Sequence, residues 1–330
     1  MIDPEAPVRD PADFVGQSGL VRRIFSRIGA ERPQSVAVIG GRRSGKTSLL
    51  AYVADAGVRS RSLDSADRYL FVQPCGDCSA VPDPERFLAA LLAGITAGPT
   101  EGGNRYDAVR RAVEALHGSG RRLIVLLDDF HLVTGSERFP LEFFSFLRSM
   151  ANNFNLAYVT TSILELQKLC AAKDVQESPF FNIFTNLHLG MLSPGEAAGI
   201  VASLAGVERT AASRVAAWLG GSPYLARRAA MRIAAAGSVP ADEAGLERLL
   251  YPEAAPYFEE VAALLPPAAL RPLQAIGRGR QPNAAEAHHV APLVKQGLLE
   301  EADAGLSCAC PAFAQFLRRG LTARMLRGRE

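Results

Sequence analysis

Long apolar runs are missing from this sequence, and no stretch reaches the length a membrane span requires. The opening segment, MIDPEAPVRDPADF, has no basic stretch leading into an apolar core, so it does not read as a secretory signal. A cytoplasmic location with no membrane partner is the expectation. Cysteine is scarce and odd in number, five in 330 residues, which excludes a disulfide framework. Cys75-Gly-Asp-Cys78 and Cys308-Ala-Cys310 could together offer four zinc ligands. Their wide separation and loose spacing favour ordinary reduced thiols. Excess charge of either sign is also lacking. Thirty-six Lys and Arg against 34 Asp and Glu leave a net of +2, which makes no general case for a nucleic-acid or membrane partner.

Apolar side chains are plentiful, at 48% against 21% charged, so the chain is ordinary globular material and not a disordered polymer. Its length exceeds what one core usually serves, and two or three domains are expected. The rest is arranged around Ser35–Leu50, SVAVIGGRRSGKTSLL. A short apolar strand, Val36 to Ile39, stops at Gly40, and Gly40, Gly45, Lys46 and Thr47 fit G-x-x-x-x-G-K-[ST] just before a helix-forming stretch. This is a Walker A motif in its proper setting. The spacing lets the backbone N–H groups of Gly40, Gly41, Arg42, Arg43, Ser44 and Gly45 curl around phosphate oxygens, with Lys46, Thr47 and Ser48 at the positive end of the following helix. Lys46 would reach the β and γ phosphates, and the Thr47 hydroxyl would hold Mg²⁺.

A second acidic signal lies 82 residues after Lys46. Leu123-Ile-Val-Leu-Leu is followed by Asp128-Asp129, an apolar run ending in acid, as expected of a strand buried on both faces of a parallel sheet. Asp128 is placed to support Mg²⁺, through water if not directly, and Asp129 to point toward the γ phosphate. Leu156–Ser162 forms another buried strand ending in hydroxyls. Thr160, Thr161 and Ser162 at its tip could touch the γ phosphate or the attacking water. Further strands are expected at Tyr69–Gln73 and Phe184–Leu189, with helices over residues 20–28, 46–54, 84–96, 106–117 and 137–153. The loop 98–104 is read as a connection. Strands alternating with helices in five rounds give an α/β doubly wound parallel sheet with its ligand site at the carboxyl ends of the strands. His188 is read as a core or edge histidine. Phe14 and Val15, in the turn before the first helix, offer an apolar wall for an adenine.

From Ser193 the texture becomes helical. Ser193-Pro-Gly-Glu196 is a capping box opening a helix to about Leu204, and others follow at Thr210–Leu219 and from Pro223 to about Ala235. The last eighty residues offer helical stretches at 257–265, 268–276, 283–288 and 290–296. A turn at Asp303-Ala-Gly305 and a final helix complete the pattern of a winged helix-turn-helix. Over 251–330 there are nine Lys and Arg against eight Asp and Glu, and the candidate recognition helix carries only Lys295. Protein or intramolecular contacts are therefore read ahead of DNA binding. The expected organisation is an arm at 1–13, a P-loop nucleotide-binding domain at 14–191, a small helical domain at 192–240 and a winged helix at 241–330.

On these motifs the chain, from Phe14 to about Arg319, resembles the STAND ATPases, AAA+-like P-loop proteins of signal transduction. Phe14-Val-Gly16 is similar to the family's opening F-V-G-R, with Gln17 in place of Arg. Gly220-Gly-Ser-Pro223 is similar to the G-x-P of its helical lid, where the resemblance puts Pro223 against the nucleotide. Three departures stand out. Ile163 follows Thr161-Ser162 where relatives often carry Arg. Cys310-Pro311-Ala312 stands where many carry a phosphate-contacting His. Asp129 replaces the Glu of fast hydrolases, which favours slow turnover. The resemblance implies an ATP/ADP-governed switch that oligomerises and activates an effector, in prokaryotic signalling or anti-phage defence; with no long repeat array and no fused effector in this sequence, sensor and effector are expected on separate chains. The alternative is a DNA-handling AAA+ module like the replication initiators or transposition regulators.

Overall fold

The computed structural model describes residues 3–74, 78, 83–98 and 103–319. Cys75 and most of the expected 98–104 connection lie outside them. The chain divides into two compact units. One takes in Val8–Gly40 and Lys46–Leu189, the other the described parts of 1–7 and 190–330 together with Gly41–Gly45.

The first unit is built on five parallel strands: β1 (Ser35–Ile39), β2 (Tyr69–Val72), β3 (Arg122–Leu127), β4 (Leu156–Ser162) and β5 (Phe184–His188), in the order β2-β3-β4-β1-β5. The central strands read as unbroken apolar runs because both faces are covered. Alternate residues serve the two faces. Leu123, Val125 and Leu127 join a core with the helices Pro84–Thr96, Arg105–Gly118 and Leu141–Asn153. Ile124 and Leu126 pack with Val36, Val38 and residues of the helices Ser18–Ile28 and Lys46–Ala54. β5 is an edge strand, and His188 is exposed on it. The expected helix over 137–153 begins only at Leu141, after a separate turn of helix at His131–Thr134. Pro140 explains the break, since a proline disfavours helical geometry in the residue before it.

The arm expected at 1–13 contains a short 3-10 turn at Pro11–Asp13, capped by Asp10, and the Val8 N–H donates to Ser48 Oγ at 3.0 Å.

In the second unit the Ser193–Glu196 capping box opens Pro194–Ala205, followed by Arg209–Leu219 and Pro223–Ala236. A 21-residue helix, Glu243–Ala263, comes next, where only 257–265 was expected to be helical. Its two internal prolines, Pro252 and Pro256, are exposed, so the carbonyls they leave unbonded face water while Leu250, Ala254, Tyr257 and Phe258 are buried. Pro267–Gly277 follows, and the stretches expected at 283–288 and 290–296 form one helix, Ala284–Lys295, opened by an Asn283–Glu286 capping box. An antiparallel hairpin, β6 (Leu299–Ala302) and β7 (Gly305–Cys308), precedes the helix Pro311–Arg319. One apolar core runs from Leu192 to Leu317 through all of these. Among the described residues no helix is long and apolar enough to cross a membrane.

Candidate functional site

The site in the sheet unit starts with register. β4 lies between β1 and β3, so the tip of β4 meets the acidic end of β3 and the residues following β1. Asp128 is only 1% exposed. A carboxylate that deep must be fully hydrogen-bonded or it costs several kcal/mol, on the order of the penalty for an unpaired buried charge. The Thr47 hydroxyl donates to Asp128 Oδ2 at 2.6 Å, and the Thr161 hydroxyl donates to Asp128 Oδ1 at 2.6 Å. Thr161 Oγ1 in turn accepts from the Asp129 N–H at 2.8 Å, and the Thr161 carbonyl accepts from the Phe130 N–H at 2.9 Å.

Asp129 takes a left-handed backbone, φ 48°. Its Oδ1 lies 3.8 Å from Lys46 Nζ and 3.8 Å from His131 Nδ1. Lys46 is itself largely buried, its side chain 8% exposed. Ser162, by contrast, turns its hydroxyl onto the Leu164 carbonyl at 2.5 Å, while its own carbonyl accepts from the Gly40 N–H at 3.0 Å. Phe14 stacks on Tyr52 with ring centroids 4.5 Å apart, and Val15 beside it is half-buried.

The loop residues Gly41–Gly45 belong to the other unit. Gly45 has φ +96°, a conformation closed to most side chains, and a Cβ on it would stand 4.0 Å from the Pro223 ring. Arg43, also left-handed at φ 57°, donates from Nε and Nη2 to the Glu260 carboxylate at 3.0 Å each, lies 3.1 Å from Glu5, and stacks over the Tyr224 ring at 4.4 Å. The Glu260 bonds hold its guanidinium still further above the ordinary arginine range, against the opposing effect of burial. Cys310 packs against Gly220, and burial pushes its thiol up to about 12 and that of Cys308 up to about 11. Such thiols stay protonated at neutral pH. Among the described residues no group of His, Cys, Asp and Glu forms a metal cluster.

For a divalent ion the donor set is apt. Thr47 and Asp128 are hard oxygen donors brought together at one point, the chemistry Mg²⁺ prefers. Thr47, Asp128 and Asp129 stand out in the sequence by their motifs, whereas the Thr161–Asp128 bond is set by strand register. His131, two residues beyond Asp129, and Glu260, 217 residues from Arg43, carry no motif that marks them in the sequence.

A strand–loop–helix phosphate motif set one strand away from an acid-tipped strand, with a hydroxyl-tipped strand between them, defines a P-loop nucleoside triphosphatase. A family model described as Novel STAND NTPase 2 matches residues 30–222, more than half of the chain, and the chain belongs to that family. No curated protein matches it. Solved structures share the fold at low identity. The Walker-type ATPase PABY2304 of Pyrococcus abyssi superposes with a TM-score of 0.62 at 14% identity, over 95% of this chain and 98% of that one. The Aeropyrum pernix ORC2 protein, in its ADPNP-ADP complexes, gives 0.59 at 17% identity over 99% and 97%.

Proposed function

We propose that this NTPase is an ATP-dependent molecular switch that hydrolyses slowly and whose nucleotide state governs self-association and the activation of a separate effector protein. The observation that carries the nucleotide-hydrolysing part of the reading is the bonded set Thr47–Asp128–Thr161, with Asp129 set between Lys46 and His131; the switch itself is carried over from the family resemblance. That set brings the phosphate-binding helix and the acid-bearing strand to one point, as nucleotide hydrolysis requires. ATP is the nucleotide of choice because the family is an NTPase family and the fold is shared with the Aeropyrum pernix ORC2 protein, solved in ADPNP-ADP complexes.

In this reading Lys46 binds the β and γ phosphates, and the loop from Gly40 to Gly45 offers its backbone N–H groups. Thr47 and Asp128 hold Mg²⁺, with Thr161 fixing the Asp128 carboxylate and Ser48 completing the first turn. Mg²⁺, when bound, neutralises charge on the phosphate oxygens. Asp129 orients the attacking water. Phe14 and Val15 flank the adenine, and Pro223 rests on the nucleotide from a helical lid at 192–240. Residues 241–330 act as a winged helix in protein or intramolecular contacts. The near-balanced charge of that segment argues against a DNA-reading surface. Signalling or defence in a prokaryotic cytoplasm is the setting that suits such a switch.

The test is Lys46→Ala. The variant should remain folded and lose measurable ATP and ADP binding by calorimetry. A folded variant with parental affinity would remove the basis of the proposal.

A further inference from the structure

Asp129 is held from its backbone side by the Thr161 hydroxyl, and its carboxylate is approached by two nitrogens. Lys46 Nζ and His131 Nδ1 both stand 3.8 Å from the same oxygen, Oδ1, within ion-pair range but beyond hydrogen-bonding distance, so a short shift of the carboxylate is what would bring it onto either nitrogen. His131 is firmly set. The Leu132 N–H donates to the Asp129 carbonyl at 2.9 Å and the Val133 N–H to the Phe130 carbonyl at 3.0 Å, closing the turn that carries the imidazole. Phe130, just before it, is fully buried against Phe180, and its N–H is bonded to Thr161. The imidazole is thereby delivered to the side of Asp129 by the rigid end of β3. It is mostly shielded from water, its side chain 14% exposed.

We propose that His131 is a positioning residue for hydrolysis, steering the Asp129 carboxylate toward the attacking water while Lys46 is engaged with phosphate. The inference rests on the ATPase reading above. With phosphate bound, the three N–H donors of Lys46 are shared between phosphate oxygens and Asp129, which loosens its hold on Oδ1. His131 approaches Oδ1 from its own loop and is not drawn away by phosphate. A carboxylate on a flexible side chain loses about 10²-fold in rate when it is misplaced by ~1 Å, so a group that fixes its rotamer has a measurable kinetic role. His131 does not touch the reacting atoms in this account, and nucleotide affinity should be insensitive to it.

The test uses the full chain and three substitutions with different shapes. Asn carries its amide at the distance of Nδ1 from the backbone, Gln carries it near the distance of Nε2, and Leu fills the space without a polar atom. Single-turnover hydrolysis of ATP should fall about 10- to 100-fold in His131→Leu. His131→Asn should recover most of the loss, and His131→Gln should not. The affinity for a non-hydrolysable ATP analogue should stay within about twofold in all three, on the argument that His131 contacts Asp129 and not the nucleotide. Should the Leu variant fail to fold, the Asn and Gln pair still separates a positional donor from simple packing.

Parental hydrolysis in His131→Leu, or equal losses in Asn and Gln, would overturn the proposal. Asp129→Asn serves as the control for the underlying reading. If Asp129→Asn is slow and His131→Leu is not, this inference alone fails. Should the parent show no hydrolysis at all, the ATPase reading fails with it.

Discussion

Among single residues, the chemistry rests on Asp128 and Asp129 having separate environments although they are adjacent in the chain. Asp128 is buried and accepts one hydroxyl on each oxygen, so its carboxylate is oriented before any ligand arrives and keeps lone pairs free for one. Asp129 is 35% exposed on its side chain and faces nitrogens at longer range, an arrangement suited to a group that must act on water. Asp129→Asn should therefore retain ATP while slowing single-turnover hydrolysis by about 10² or more, the usual contribution of a general base. Equal rates in variant and parent would end that assignment. Thr161→Val keeps shape and removes the hydroxyl. It should destabilise the protein by about 1.5–3 kcal/mol, the range for a hydrogen bond to a charged group, read as a lower midpoint in urea with an unchanged slope. A parental midpoint would mean that Asp128 finds another partner.

At the scale of elements, the Gly220-Gly221 turn shows how much of the site was legible in the sequence. The pair stood out as a motif on the way into a helix beginning at Pro223, and that helix starts there. The physical reason was not visible. Gly220 sits at φ 79° and ψ −168°, a conformation essentially reserved for glycine, with Cys310 3.1 Å from where a Cβ would be. A Cβ on Gly221 would stand 2.1 Å from the Leu192 carbonyl oxygen. Gly220→Ala should thus cost about 1–3 kcal/mol in unfolding free energy, whereas an unchanged melting midpoint would show that the backbone relaxes there.

The strands and the phosphate helix were readable because both depend on local pattern: a strand buried on two faces is continuously apolar, and the glycine–lysine–threonine spacing is confined to eight residues. The helix Glu243–Ala263 was not, because prolines signal a break unless their freed carbonyls are known to face water. Pairs such as Thr161–Asp128 and Arg43–Glu260 depend on strand register or on contacts distant along the chain, which no window of sequence contains.

At the scale of the whole molecule, a switch needs a ligand that distinguishes two arrangements of the chain, and moving a population from mostly one to mostly the other takes roughly 5.5 kcal/mol of differential affinity. The γ phosphate is the part of the ligand that ADP lacks. The groups assigned to it, Lys46 and Asp129, lie at the residue cluster described above. Adenine contacts near Phe14 and Val15 would be common to both nucleotides and contribute nothing to the difference. The single measurement that bears most directly on this account is sedimentation velocity of the purified protein with ADP and with a non-hydrolysable ATP analogue, alongside Lys46→Ala. A monomer is expected with ADP, a larger species with the analogue, and no response to either in Lys46→Ala. The same assembly state with every nucleotide, and a Lys46→Ala variant that assembles as the parent does, would contradict it.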